Sequence, residues 1–106
     1  MTITLKRLAQ AALGAAASAS LYAPASGKTG MLKSLTLCNT TDADVLARVH
    51  LVPSGGSASA SNALFYDATV PAKSTFDWAG LHVLAAGDSL RASGVGITLT
   101  ASGAEQ

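Results

Sequence analysis

The chain is poor in the residues that usually advertise chemistry: one cysteine, two histidines, five aromatic residues and 12% charged residues among 106. The single thiol, Cys38, rules out an intramolecular disulfide, and it is too few for a cysteine-built zinc centre, which takes about four ligands. Set in Leu35-Thr36-Leu37-Cys38-Asn39, it reads as a small buried hydrophobe. Seven Lys and Arg are scattered among six Asp and Glu, for a net charge of +1. That pattern lacks the basic stripe of a nucleic-acid domain. No apolar run reaches the roughly 18 residues of a membrane span. Disorder is excluded as well, because a disordered chain pairs low hydrophobicity with high net charge, and here 49% of residues are hydrophobic. Soluble domains carry about a quarter of their residues charged, so part of this surface is expected to lie under other protein.

A chain of this length is one domain that buries roughly two-thirds of its unfolded surface, enough for one modest core without a deep catalytic cleft. The aromatic residues are Tyr22, Phe65, Tyr66, Phe76 and Trp78, so the core is expected to consist of small and aliphatic side chains. Residues 1–23 mimic a secretory signal, with Lys6 and Arg7 before an Ala-rich run and an Ala17-Ser18-Ala19 triplet. The run is interrupted by Gln10 and diluted by Gly14 and Ser18, and the segment is read as structure. Its β-branched start favours a short strand or extended arm over residues 2–8, followed by a flexible or neighbour-bound stretch. The expected organisation is an arm over residues 1–19 and a sandwich domain over 20–106.

From residue 20 onward, runs of β-formers alternate with turn clusters. Strands are expected over Ser20–Ala23, Met31–Asn39, Asp44–Val52, Ala63–Val70, Ser74–Trp78, His82–Leu84, Ser89–Ser93 and Val95–Ala101. This spacing predicts an all-β fold, a single sandwich of seven or eight short antiparallel strands wound as a jelly roll or an immunoglobulin-like Greek key. In the last strand Val95, Ile97, Leu99 and Ala101 alternate with Gly96, Thr98, Thr100 and Ser102, giving one core face and one wet face. Val45, Ala47, Val49 and Leu51 oppose Leu46, Arg48, His50 and Val52, a mixed second face expected to be partly covered. The nearly apolar run at Leu32 to Cys38 reads as a central strand sandwiched on both sides. Residues 54–62, SGGSASASN, read as a floppy hairpin loop or one ordered against a neighbouring subunit.

Chemical motifs mostly fail. Gly27-Lys28-Thr29 lacks the earlier glycine of a phosphate loop, since Tyr22 stands there, and a strand follows where that motif needs a helix. Asn39-Thr40-Thr41 fits a glycosylation sequon by coincidence of a Thr-rich turn. His50 and His82 are the only imidazoles, with no nucleophile elbow for a triad and no short ligand spacing that would join them to Asp67, Asp77 or Asp88 around a metal. No enzyme activity, cofactor or metal is expected. Phe65-Tyr66 and Phe76-Asp77-Trp78 form a candidate platform for sugar stacking, although Trp78 reads more simply as a core or subunit-contact residue. Asp88 reads as a turn residue.

The motifs taken in order do carry a resemblance. They are Lys6-Arg7-Leu8-Ala9, Leu21-Tyr22 near Pro24, Gly27-Lys28-Thr29 leading into the Lys33-Ser34 strand that ends Cys38-Asn39-Thr40, His50-Leu51-Val52-Pro53-Ser54-Gly55-Gly56, Asn62-Ala63-Leu64-Phe65-Tyr66-Asp67 and Ala86-Gly87-Asp88. The series, spread over nearly the whole chain, resembles a family of small β-sandwich virion proteins of tailed bacteriophages. The resemblance implies a non-enzymatic virion component made in the host cytoplasm and not secreted, first of all a capsid decoration or cement protein. Its partners would be the major capsid protein or tail proteins and further copies of itself, with a trimer favoured; neither nucleic acid nor a membrane is implied. A tail, baseplate or fibre-attachment protein is the alternative, and a glycan-binding module with Trp78 or Tyr66 exposed is the third. Residues expected at protein interfaces are Thr2, Thr4, Lys6, Arg7, Tyr22, Phe65, Tyr66 and Trp78, with the arm from Thr2 to Ser20 adding to a neighbour's sheet or lying on the capsid.

Overall fold

A computed structural model describes residues 3–17 and 19–106. Seven strands form: β1 (Thr4–Ala12), β2 (Gly30–Asn39), β3 (Val45–Val52), β4 (Ala63–Val70), β5 (Thr75–Leu84), β6 (Ser89–Ser93) and β7 (Ile97–Glu105). They make two antiparallel sheets, one in the order β1-β7-β2-β5 and one in the order β4-β3-β6. The fold is the all-β sandwich expected from the alternation.

The strand order also decides between the two windings. Tyr22 bridges Leu90 of β6, with Leu21 N–H donating to the Leu90 carbonyl and Leu90 N–H to the Tyr22 carbonyl, both at 2.8 Å. When this bridge is counted as a vestigial second strand, the first strand pairs with the last, the second with the second-last, and so on inward to the β3·β4 hairpin. That nested pairing is the jelly roll.

The core lies between the sheets. Leu32, Leu35, Leu37, Leu84, Leu90, Ile97 and Leu99 are fully buried together with Ala47, Val49 and Val70. Each large aliphatic contributes about 1.5–3 kcal/mol by leaving water. Phe65 of β4 meets Phe76 of β5 edge to face, with centroids 5.2 Å apart, and this closes the sandwich along one side. Asn39 is a buried polar residue, 1% exposed. Its amide donates to the carbonyls of Ala43 and Val70 and accepts from Thr41 N–H and Oγ1, so the apparent sequon is a buried clamp for the β2–β3 turn.

Several elements differ from expectation. The N-terminal segment is longer and more integrated: β1 pairs with β7 from Thr4↔Glu105 to Ala12↔Thr98, so the supposed arm completes the chain's own sheet. Burial explains this, because Leu8, Ala9 and Leu13 are inserted into the core. Thr2 and Ser18 lie outside the described residues. The two short segments around Trp78 and His82 are one strand, β5, bent where Ser34↔Ala79 follows Leu32↔His82 out of step. The last strand continues past Ala101 to Glu105. β2 is central but buried on its inner face only, so Cys38 is half-buried on the outer face. The Ser54–Asn62 loop is ordered by its own chain, as described next.

Candidate interaction surfaces

Two surfaces stand out, one on the outside of each sheet. On the smaller sheet, β4 carries a bulge that builds a cluster. Ala47 pairs with Ala68 and Val49 with Phe65, so Tyr66 and Asp67 together oppose the single residue Arg48. Asp67 takes a left-handed backbone, φ 57°, which Asp tolerates better than most residues. In a regular strand these neighbours would point to opposite faces. Here both engage Arg48: its guanidinium lies 4.1 Å from the Tyr66 ring centroid and forks onto Asp67, Nε donating to Oδ1 at 2.6 Å and Nη2 to Oδ2 at 3.1 Å. These bonds hold the Asp67 carboxyl below its usual pKa and raise that of Arg48.

Beside this cluster His50, 3% exposed, is roofed by the loop. Its Nδ1 lies 3.0 Å from the Ser59 carbonyl and 2.9 Å from Asn62 Oδ1. Asn62 Oδ1 also accepts from Ser59 N–H, and Asn62 Nδ2 donates to the Ser57 carbonyl. This own-chain network replaces the floppy or neighbour-ordered loop. Asp88 fastens the other flank by accepting from Ser54 N–H and Ala85 N–H, which is the expected turn role extended to a second loop. Arg48, His50, Tyr66, Arg91 and Ser93 line a recess of about 400 Å³ whose rim includes Ala15–Ala17 and Ser57–Ala60.

On the larger sheet, register places Val83, Met31, Ala104 and Leu5 side by side across β5, β2, β7 and β1. Leu5 is 77% and Val83 60% exposed at the two ends of this row, Met31 between them is half-buried and Ala104 is buried, and exposed Ile3 and Leu81 lie two residues from Leu5 and Val83 in sequence. Lys6 and Lys33 border the patch at a shallow depression that also includes Leu5, Ser102 and Gly103. Arg7 stands opposite Ser102 on the next row. Large apolar side chains left exposed on one face of a small domain mark a contact surface.

The residues expected at interfaces separate accordingly. Thr4, Lys6 and Arg7 are exposed along β1, the free edge of the larger sheet. Tyr22 is instead part of the core: its hydroxyl donates to Glu105 at 2.6 Å, and burial, then that carboxylate, raises its pKa. The same bond, followed by Lys6 at 3.5 Å, lowers the pKa of Glu105. Phe65 packs inward against the core and Phe76. Tyr66 is 51% exposed. Trp78 is half-buried against the core and stacks on His82 at 5.1 Å. Gly80 makes room for the indole, since a Cβ there would stand 2.7 Å from Trp78 Cζ2. The proposed single sugar platform therefore does not form, because Phe65 and Phe76 are turned inward and Tyr66 and Trp78 belong to different sheets. His50 and His82 are likewise on different sheets. The apolar row escaped sequence reading because no single strand is apolar on that face; only cross-strand register assembles it.

The fold and its surfaces define a jelly-roll β-sandwich, a class used by viral capsid proteins, lectins and cupins alike. No protein family, curated protein or solved structure matches this particular chain.

Proposed function

We propose that the protein is a non-enzymatic structural component of a tailed-bacteriophage virion, a decoration or cement protein that docks on the major capsid protein through the outer face of its larger sheet. The observation that carries this reading is the pair of exposed apolar side chains Leu5 and Val83 on the outer face, at the two ends of a cross-strand row through half-buried Met31 and buried Ala104, with Lys6, Arg7 and Lys33 around it. Apolar contact there supplies affinity and the cations select an acidic partner surface, while like charges disfavour face-to-face pairing of two copies. The jelly roll and the motif resemblance support the same reading. The β1 edge, Thr4 to Ala12, is the strand through which copies join into trimers on the lattice.

Quantitative mass spectrometry of purified virions tests the assignment. A copy number comparable to the major capsid protein is expected. A few copies per particle would move the protein to the tail or baseplate, and absence would overturn the virion reading. Leu5→Asp with Val83→Asp, both at exposed positions, should leave the fold intact and abolish particle binding.

A further inference from the structure

We infer that the recess on the outer face of the smaller sheet is a saccharide site that takes a pyranose ring with adjacent free hydroxyls. The inference is independent of the virion reading, because the docking face lies on the other sheet. The recess, about 400 Å³, falls in the range of roughly 300–1,000 Å³ used by small-molecule sites.

Its hydrogen-bonding polarity is set by the loop network. Both groups facing His50 Nδ1 are acceptors, the Ser59 carbonyl and Asn62 Oδ1. The Asn62 amide is held in one orientation, accepting from Ser59 N–H and donating to the Ser57 carbonyl. Nδ1 therefore carries the proton, and in the neutral ring Nε2 is an acceptor. Among the described residues no buried polar side-chain atom lacks a partner, and none bonds to Nε2. That nitrogen consequently reaches open space in the recess that His50 lines.

Beside this acceptor stand donors. Arg48 commits Nε and Nη2 to Asp67, which leaves Nη1 for a ligand. Arg91, whose Nε donates to Ser89 Oγ, pairs with His50 across the β3–β6 ladder and lines the same recess. A ligand that fits must donate to Nε2 and accept from a guanidinium within one small volume. A fully ionised anion only accepts; a hydroxyl does both, and neighbouring ring hydroxyls do so at the spacing of adjacent side chains. The half-exposed Tyr66 ring and the methyls of Ala16, Ala58 and Ala60 offer apolar surface to the C–H face of a sugar. Because Arg48 and the T-shaped His50 contact already fix Tyr66, binding orders little that is mobile.

The test reads the His50 imidazole nitrogens by two-dimensional NMR while methyl glycosides of glucose, galactose, mannose and N-acetylglucosamine are titrated, with inorganic sulfate in parallel. At least one glycoside is expected to shift Nε2 saturably and to show saturation transfer to its ring protons. Affinity should fall by about tenfold or more in Tyr66→Ala and in Arg48→Gln, each checked for an intact amide spectrum, and should be unchanged in Trp78→Phe on the other sheet. The inference is overturned if no glycoside moves His50, if sulfate alone does so, or if the response survives both recess substitutions.

Discussion

Replacing Gly103 with alanine tests the closest backbone approach in the larger sheet. A methyl at Gly103 would overlap the Met31 carbonyl oxygen and stand 2.9 Å from its carbon, with Leu8 Cδ1 at 3.2 Å. Ordinary contact begins at 3.4 Å, so the two backbones must part by far more than the few tenths of an ångström that a flexible side chain could yield. The obstacle is backbone, in β2, at the point where β2 slips register between Leu32 and Ser34. Both β2 and β7 are interior strands, so neither can withdraw without disturbing a second ladder. Overpacking costs about 1–3 kcal/mol, and one or two lost ladder bonds add about 1 kcal/mol each. The sum, about 2–5 kcal/mol, is a large share of the roughly 5–15 kcal/mol that holds a small domain folded. At about 4–8 °C per kcal/mol for a chain of this size, the melting midpoint should fall by at least about 8 °C. Urea and thermal unfolding followed by circular dichroism measure this, with Gly14→Ala as the companion, where the added methyl meets nothing within 4 Å and the change should stay within about 0.5 kcal/mol. A Gly103→Ala loss below about 1 kcal/mol would refute the steric argument.

Three further outcomes are expected. Leu99→Ala, at a fully buried position of β7, should cost about 2–5 kcal/mol in urea unfolding. Tyr22→Phe should weaken acid sensitivity: the folded pKa of Glu105 is lowered chiefly by the Tyr22 hydroxyl, so its stabilisation is complete above the ordinary carboxylate value and is lost as pH falls through the lowered one. Unfolding curves across that acidic window should be flatter in the variant than in the parent chain. At Asp67, Asn should be tolerated better than Val, since both remove the ion pair with Arg48 but only Val resists the left-handed backbone; equal melting midpoints for the two would remove backbone conformation as the cause.

How much was legible follows from what each feature depends on. Strict alternation at Ile97, Leu99 and Ala101 is a local signal, and it located a core strand correctly. The end of that strand was missed because Gly103 resembles a turn glycine, whereas its role is to let the Met31 backbone come close. Gly80 likewise looked like a break between two strands, although it makes space for Trp78 within one. The N-terminal stretch carries two competing periods, Leu5, Leu8, Ala9, Ala12, Leu13 and Ala16 at helical spacing and Ile3, Leu5 and Arg7 at strand spacing, and only pairing with β7 shows which of its residues are core. At the recess, His50 and Arg48 were visible as the mixed face of β3, but the bulge that brings Tyr66 and Asp67 onto one arginine depends on one backbone angle. The fixed tautomer of His50 depends on a loop with the composition of a linker.

Nesting of the strand pairs also imposes an order in time. The innermost hairpin, β3 with β4, closes over the Pro53–Asn62 loop, whereas β1 has no partner until β7, about a hundred residues later in sequence by the pairing Thr4↔Glu105. Loop closure of that span cannot precede the inner pairs without a larger entropic cost, so assembly should proceed outward from the centre of the chain, at the slower rates of nonlocal β topologies. During synthesis the first strand waits unpaired while the rest of the domain emerges, with Leu8 and Leu13 uncovered. A chain made in many copies at once is then most exposed to mispairing through β1, and a lower rate of expression or lower temperature should raise the yield of correctly closed sandwiches.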